Sequence, residues 1–336
     1  MTVAEPSVEA LHYVVPDPGL ERDLRAGLVA VEALLRESVK SSYPFVTETS
    51  RHLVDAGGKR FRPLVVLLAS HFADPASPGV VPAAVVVELT HLATLYHDDV
   101  MDEAPMRRGA VSANARWGNT IAILTGDFLF SRASDILADL GPECVRIQAR
   151  TFERLVQGQI RETVGPEPGD DPLEHYLRVA ADKTGSLIGT AARFGAMLAG
   201  ANETTVEMLT RYGERIGVAF QLSDDLLDVA SETGQSGKAP GTDLREGVAT
   251  LPTLLVQRGA DPASARLRDL LSGPLSNAGA HAEALGLLRA HPAMDEARRT
   301  LQWWADDARE AIAPLPAGAA KRALRTLTEF VIARTG

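Results

Sequence analysis

The stretch LTHLATLYHDDVMDEAPMRRG, residues 89–109, places an Asp-Asp-x-x-Asp cluster directly after an apolar run. On a helix, Asp98 and Asp102 lie four residues apart and share a face with His91 and Leu95. Like charges at this spacing repel each other, and ionised groups in apolar surroundings are costly unless a positive charge compensates them. The stretch therefore predicts a helix that presents a stripe of carboxylates to a cation.

A second stretch, AFQLSDDLLDVAS at residues 219–231, repeats the cluster. The same helical spacing recurs there in Gln221, Asp224 or Asp225, and Asp228. One such cluster could be an exposed acidic patch or a helix start, but two copies in apolar surroundings favour a chemical role. Magnesium prefers a few carboxylates together with substrate phosphate and water. We therefore expect the two stripes to face each other and to hold several magnesium ions around a diphosphate.

Basic residues gather at a few places in this acidic chain. In GGKRFRP, residues 57–63, Lys59, Arg60 and Arg62 adjoin two glycines, whose backbone amides can approach an anion closely. The segment also suits a basic helix start with Pro63 at an early position. Further cations and hydroxyls that could bind phosphate are Arg107, Arg108, Lys183, Thr184 and Lys238. Each alone is more typical of a solvated surface, but together they predict a positive lining for an anionic substrate.

Helical periodicity extends over most of the chain. Residues 21–40 carry an apolar stripe with a period near 3.6. Similar windows recur near 80–101, 119–139, 143–163, 173–199, 204–231 and 294–312. Sustained strand alternation is absent, and glycine- and proline-rich breakers fall between the windows. The pattern predicts an all-α fold with one domain over residues 1–336, a motif-bearing core at about 20–260 and closing helices at about 261–336.

Composition excludes several classes of protein. The formal net charge of −10 argues against a nucleic-acid surface, because phosphate backbones select for basic patches. No apolar stretch approaches the roughly 18 residues that a membrane span needs. Cys144 is the one cysteine, which excludes an internal disulfide and a cysteine metal cage. The N-terminal segment has neither a basic start nor an apolar signal core, so we expect a cytoplasmic protein.

Six ordered motifs over about residues 55–255 resemble the trans-isoprenyl diphosphate synthases, the polyprenyl synthetase family. They read GGKRFRP, HLATLYHDDVMDEAPMRRG, GDFLFSRA, KTGSLIG, FQLSDDLLD and GTDLREGVATLP. The resemblance implies an all-α homodimer with a deep central cavity between the helices that carry the aspartate motifs. It also implies magnesium-dependent condensation of isopentenyl diphosphate with an allylic diphosphate to give a linear all-trans polyprenyl diphosphate.

The resemblance also implies roles for individual residues. Asp98, Asp102 and Asp224 look like direct magnesium ligands, whereas Asp99, Asp225 and Asp228 look like residues that orient the metals. The implied isopentenyl diphosphate site comprises Lys59, Arg62, His91 and Arg108, although His91 would equally suit a packed core position. The implied allylic site comprises Arg107, Lys183, Thr184, Gln221 and Lys238. One departure is Val248, where the family often has lysine in EGKxTLP, which puts rate or allylic affinity in question.

Product length should depend on the residues one helical turn upstream of Asp98. Ala93 and Thr94 are small there, where an aromatic ring would close the floor of the cavity early. The ATLYHDDVMDE pattern also resembles medium- and long-chain members of the family. We therefore expect a long-chain product. A geranylgeranyl diphosphate synthase and the catalytic subunit of a heteromeric synthase are the alternatives.

Two rival functions fit the sequence less well. A terpene cyclase shares the helical fold and one Asp-Asp-x-x-Asp, but its second metal site typically has an Asn/Ser/Glu pattern that this chain lacks. A noncatalytic regulatory subunit is disfavoured because both clusters are intact. The segment GGKRFRP also has no evident use in an enzyme that binds one diphosphate.

Overall fold

The computed structural model describes residues 15, 17–230, 240–275 and 277–334. These residues form sixteen α-helices and one two-stranded ribbon, which confirms the predicted all-α class. The helices are α1 Pro18–Ser38, α2 Pro44–Asp55, α3 Phe61–Ser70, α4 Val80–Met101, α5 Ala113–Trp117, α6 Asn119–Leu140, α7 Pro142–Val164, α8 Pro172–Ala180, α9 Ser186–Leu198, α10 Glu203–Ala230, α11 Thr242–Glu246, α12 Leu251–Arg258, α13 Ala265–Leu270, α14 Ala278–Arg289, α15 Ala293–Ala311 and α16 Ala319–Ala333. The ribbon pairs β1 Met106–Arg107 with β2 Ala110–Val111 in antiparallel register.

Two compact units divide the chain. Unit 1 comprises Met1–Thr151, Leu187–Gly213 and Pro314–Thr326. Unit 2 comprises Phe152–Ser186, Glu214–Ala313 and Leu327–Gly336. The first aspartate cluster lies in unit 1 and the second in unit 2, so each is described within its own unit. The single domain expected over residues 1–336 stays a prediction.

Helix α4 is the core of unit 1. It packs against α1, α3 and α6, and residues 83–90 are buried without interruption. By length and composition this helix could cross a membrane, but 67% of its apolar window is buried inside the protein, as in the core helix of a globular fold. Gly126 of α6 lets α4 approach closely, because a Cβ atom there would meet the His97 ring at 2.3 Å. The apolar sequence of α4 therefore builds a protein core.

A buried ion-pair cluster holds the loop before α3 in place. Arg60 adopts left-handed backbone geometry with φ of 48°. Its guanidinium binds the carboxylates of Glu32 on α1 and Glu88 on α4. It also donates to the carbonyl oxygens of Val54, at 3.0 Å, and Gly57, at 3.3 Å. Both glutamates are buried. The loop before α3 that carries Gly57 and Gly58, called the glycine-rich loop below, is therefore bound to the two helices by charge as well as by apolar packing.

In unit 2, two hydrogen bonds hold the C-terminal part of α10, which belongs to this unit from Glu214 onward. The Ser223 hydroxyl donates to the Val331 carbonyl of α16 at 2.8 Å, and Arg289 of α14 donates to the Val229 carbonyl at 2.7 Å. Helix α12 packs against α8 and α15. A short π-helical turn, Ala181–Gly185, links α8 to α9 within the window 173–199. That window therefore contains two α-helices joined by the π-helical turn, whereas each of the other predicted windows matches a single helix to within three residues.

Replacing Arg60 should destabilise the fold, because Glu32 and Glu88 would be left buried without their counter-ion. We expect Arg60→Met to lower the free energy of unfolding in urea by about 3–5 kcal/mol. Arg25→Met is the matched control, since Arg25 forms a partly exposed helical pair with Glu21 and its loss should cost under about 1 kcal/mol. Equal effects of the two substitutions would contradict the anchoring role of Arg60.

Candidate active site

The first aspartate cluster ends the core helix of unit 1. The backbone N–H of Asp102 donates to the Asp98 carbonyl at 2.8 Å, so both residues share the last turn, as their spacing predicts. The Asp102 side chain is 61% exposed and Asp98 is half-buried. Asp99 is fully buried beside them. The turn therefore offers two accessible carboxylates and one internal one.

The β-ribbon places the side chain of Arg107 next to the aspartates of this turn. Its Nε lies 2.5 Å from Oδ1 of Asp99, and its Nη2 lies 3.9 Å from Oδ2 of Asp102. Burial raises the pKa of Asp99, and the Arg107 charge opposes that rise. The second carboxylate oxygen of Asp99, Oδ2, is buried and has no hydrogen-bond partner within the described residues. Arg107 thus acts as a counter-ion of the first cluster in this structure.

The side chain of Arg108 packs against the glycine-rich loop. Its guanidinium donates to the carbonyl oxygens of Gly57 and, at 3.3 Å, of Leu53, and lies 3.7 Å from the Glu88 carboxylate. Gly58 is required at this contact, because its φ is +142° and a Cβ atom would lie 2.9 Å from the guanidinium. Burial lowers the pKa of Arg108, and Glu88 opposes that shift. The structure therefore brings Arg108 to the loop that carries Lys59, another of the predicted phosphate ligands.

His91 lies close to several arginine side chains. Burial and the charges of Arg62 and Arg108 lower the pKa of His91 well below its ordinary value, so the imidazole is neutral near pH 7. Lys59 is exposed on the loop, and Arg62 is half-buried in the first turn of α3. A neutral imidazole can still donate one hydrogen bond to a phosphate oxygen. The four residues predicted for one diphosphate therefore belong to the same part of unit 1.

The second cluster contains a buried hydrogen-bond network in unit 2. The Asp225 carboxylate accepts hydrogen bonds from the Tyr176 hydroxyl and, at 3.0 Å, from Nε2 of Gln221. Thr184 donates from its hydroxyl to Oε1 of Gln221 at 3.1 Å. Burial raises the pKa of Asp225 to about 7 although both donors favour the ionised form. The structure thus joins Thr184, Gln221 and Asp225, and it adds Tyr176, which no sequence motif marked.

The other two carboxylates of the second cluster also have partners. Oδ1 of Asp224 accepts a hydrogen bond from Nη2 of Arg334 at 2.6 Å. The carboxylate of Asp228 accepts from the backbone N–H groups of Thr242 and Asp243, both at 3.1 Å, where α11 begins. Arg334 was missed by sequence reasoning, because a lone arginine near the end of a helix carries no motif.

Lys183 lies outside this network in the structure. Its Nζ forms an ion pair with the Glu162 carboxylate of α7 at 2.5 Å, and both side chains are partly exposed. Gly158 allows α7 to pack tightly there, because a Cβ atom at position 158 would lie 2.8 Å from the backbone nitrogen of Lys183. Val248, at the position of the expected lysine, is 44% exposed. Lys238 lies outside the described residues, so its predicted role stays a prediction.

The donor atoms of both clusters fit a hard cation only in part. Within residues 15, 17–230, 240–275 and 277–334, no three aspartate, glutamate, histidine or cysteine side chains form a group that could hold an ion. Carboxylate oxygen is nevertheless the ligand type that magnesium accepts, and the buried Oδ2 of Asp99 lacks a donor. A metal that takes most of its ligands from water and phosphate fits these residues, whereas an all-protein cage does not.

Comparison with known proteins decides the family. The family model described as polyprenyl synthetase matches residues 43–288. The chain belongs to the polyprenyl synthetase family. The predicted family is thereby confirmed, and the six motifs that suggested it all lie inside the matched region.

Relatives within the polyprenyl synthetase family carry names with different products. A nonaprenyl diphosphate synthase of Mycobacterium tuberculosis is 49% identical over 93% of this chain and 94% of its own length. A dimethylallyltranstransferase of the same organism is 40% identical over 94% of this chain and 96% of its own. The crystal structure of a geranylgeranyl pyrophosphate synthase from Corynebacterium glutamicum, complexed with calcium and isoprenyl diphosphate, matches with a TM-score of 0.87. That protein is 46% identical, and the match covers 96% of this chain and 99% of the other.

Removing the Tyr176 hydroxyl should weaken unit 2, because the buried Asp225 carboxylate would lose one of its two side-chain donors. We expect Tyr176→Phe to lower the free energy of unfolding by about 1–3 kcal/mol in urea denaturation at pH 8. The control is Tyr43→Phe, whose ring is 62% exposed and which should leave stability unchanged. If Tyr176→Phe were as stable as the unmodified protein, the network would not support Asp225.

Proposed function

We propose that this chain is a magnesium-dependent all-trans prenyltransferase that condenses isopentenyl diphosphate with an allylic diphosphate. Its product is a linear polyprenyl diphosphate. One observation carries the proposal. The chain belongs to this family, and each of its two Asp-Asp-x-x-Asp helices has side chains that can bind phosphate packed near it within the same unit. Arg107 and Arg108 follow the first cluster, and Thr184 and Gln221 join the second.

The proposed roles follow the chemistry of the side chains. Magnesium, when bound, would be held by Asp98, Asp102 and Asp224 and would neutralise the charge that develops on the departing diphosphate. Residues proposed to orient the metal ligands are Asp99, Asp225 and Asp228. Residues proposed to bind isopentenyl diphosphate are Lys59, Arg62, His91 and Arg108. Residues proposed to bind the allylic diphosphate are Arg107, Lys183, Thr184, Gln221 and Lys238.

The side chains described above supply positioning rather than proton chemistry. Guanidinium groups bind phosphate oxygens bidentately, so Arg108 can orient a diphosphate while its own position is held by the glycine-rich loop. His91, being neutral, adds a hydrogen bond to the site without adding charge. The allylic C–O bond breaks, the isopentenyl double bond attacks the allylic carbon, and the departing diphosphate accepts the released proton. No dedicated histidine or glutamate base is needed.

The proposal includes a homodimer in the cytoplasm. Val156, Ile160 and Val164 follow one another at four-residue spacing on α7 and are 38%, 56% and 76% exposed. On α6 of unit 1, Ile123 and Leu124 are also exposed. Apolar residues exposed at helical spacing favour burial against another surface, which supports a second copy of the chain as the partner.

Product length depends on where accessible space along α4 ends. Thr94 and His91 keep accessible surface, whereas residues 83–90 and Ala93 are fully buried. Thr90 accepts a hydrogen bond from Nε2 of Gln148 at 2.8 Å. This buried contact leaves no accessible surface on α4 at the position of Thr90. A long-chain product remains our proposal on the small size of Thr94, and geranylgeranyl diphosphate is the alternative if the Thr90 level is the floor.

Loss of a metal-binding carboxylate should remove activity but not the fold. We expect Asp98→Asn and Asp224→Asn each to lower the rate of magnesium-dependent product formation by at least about a hundredfold. Asp135→Asn, at a 68% exposed position on α6, should keep full activity. Circular dichroism and thermal unfolding would confirm that each variant is folded, and full activity of either cluster variant would refute its metal role.

A ring at position 94 should shorten the product. We expect Thr94→Phe to end chain growth earlier, because the aromatic ring would fill the accessible space next to α4, while Thr94→Ser should leave product length unchanged. The products are sized by chromatography after incubation with labelled isopentenyl diphosphate. An unchanged distribution with Thr94→Phe would place the floor elsewhere.

The proposed activity is tested by incubating the purified protein with magnesium, labelled isopentenyl diphosphate and one allylic primer at a time, from dimethylallyl to geranylgeranyl diphosphate. A ladder that ends in a long chain supports the whole proposal, and a stop at geranylgeranyl diphosphate supports the alternative product. Consumption of the primer without incorporation of label would indicate a cyclase. Absence of any product would indicate that a partner subunit is required.

A further inference from the structure

Arg334 covers the carboxylate of Asp224 in unit 2. The ion pair spans 2.6 Å from Nη2 to Oδ1, and the arginine side chain is only 14% exposed. The guanidinium also lies 4.9 Å from the centre of the Phe220 ring, one helical turn before Asp224 on α10. Such stacking on an aromatic face adds to the attraction of the carboxylate. A cation of the protein therefore binds one oxygen of the carboxylate that the proposed function assigns to magnesium.

The position of this arginine is set by the end of α16. Arg334 comes directly after Ala333, the last residue of that helix. One turn earlier, the Val331 carbonyl accepts the hydroxyl hydrogen of Ser223 at 2.8 Å. The end of α16 is thus bound to α10 beside Asp224, and the side chain of Arg334 needs to span only a short distance.

The hydrogen bonds of Arg334 are incomplete. Its Nη1 atom is buried and has no partner within the described residues. Arg60 shows the contrast, because its guanidinium donates to two carboxylates and two carbonyl oxygens. A buried donor without an acceptor destabilises its position, so the charge of Asp224 is the main attraction that holds Arg334 there.

The three carboxylates of the second cluster differ in how they are compensated. Asp225 accepts hydrogen bonds from the Tyr176 hydroxyl and from Gln221 of its own helix, and Asp228 accepts from backbone amides of α11. These partners belong to well-packed elements. Asp224 is paired with a long, flexible side chain, which can move without unfolding an element.

We propose that Arg334 is a built-in competitor for the metal at Asp224: it neutralises this carboxylate in the metal-free protein and has to move aside when a divalent cation binds. The inference rests on the proposed metal role of Asp224. The guanidinium and a divalent cation are both attracted to the Asp224 carboxylate but repel each other, so binding of one at this carboxylate weakens binding of the other. Arg334 thereby sets the metal concentration at which the second cluster becomes loaded.

The test is a titration of the full-length protein with Mn²⁺ alone, followed by the electron paramagnetic resonance signal of the free ion. We expect Arg334→Met to bind the ion of the second cluster about two- to fivefold more tightly than the unmodified protein, within the range that a partly exposed charge pair supplies. Arg334→Lys should lie between the two. Arg322→Met is the control, because Arg322 of the same helix pairs with Asp17 at an exposed position and should not change metal affinity.

Asp224→Asn separates failure of the inference from failure of the metal assignment. If Asp224→Asn binds Mn²⁺ with the stoichiometry and affinity of the unmodified protein, the metal role of Asp224 is wrong. If Asp224→Asn loses an ion but Arg334→Met binds it no more tightly than the unmodified protein, competition by Arg334 is refuted. Weaker binding by Arg334→Met would show that the arginine supports the site structurally, which also overturns the proposal. Thermal unfolding of each variant confirms that the comparison is between folded proteins.

Discussion

Carboxylates that lie on apolar helices need compensation for their charge, and much of the local structure follows from that need. In unit 1 the core helix α4 carries Glu88 in its buried part and Asp99 at its end. Arg60 and Arg108 compensate Glu88, and Arg107 compensates Asp99. Because an unpaired buried charge costs more than most single contacts supply, the glycine-rich loop and the β-ribbon have to place these arginines close to α4. The loops of the proposed diphosphate site are therefore held by the same ion pairs that stabilise the core.

Unit 2 meets the same need in three different ways on one helix. The Tyr176 hydroxyl and Gln221 donate to Asp225, the amides of α11 bind Asp228, and Arg334 pairs with Asp224. Two of these arrangements use fixed donors, and the third uses a movable cation. Each carboxylate of the cluster therefore has a partner within the protein, and Asp224 has one that can move away. A site that must bind and release a charged product benefits from that combination, since fixed geometry and exchangeable charge reside in different residues.

Much of the fold was predictable because helical periodicity is a local property of the chain. The windows near 80–101, 119–139 and 143–163 match α4, α6 and α7 closely, since their apolar stripes are long and regular. The window 173–199 was predicted as one continuous pattern, but the π-helical turn interrupts it. Helical periodicity in the sequence does not distinguish such a turn from the α-helices on either side, because the backbone of the π turn stays helical while its hydrogen bonds run to i+5.

The partners of the charged residues were harder to predict. Arg60 pairs with glutamates 28 residues away on either side, and Asp224 pairs with a residue 110 positions later. Tyr176 binds Asp225 across 49 residues. None of these pairings has a sequence signal, because each depends on which helices become neighbours after the chain has folded.

By itself, the sequence determined the helical class, the two aspartate stripes and the family, since these depend on residue type and on spacing within single helices. The tertiary structure decided which residue compensates each carboxylate, that Arg60 anchors a loop, and that Ala93 is buried while Thr94 stays accessible. It also decided that Lys183 pairs with Glu162 and that Arg334 covers Asp224. The physical reason is that charge compensation and burial are properties of the space around a side chain, and helices distant in sequence supply that space.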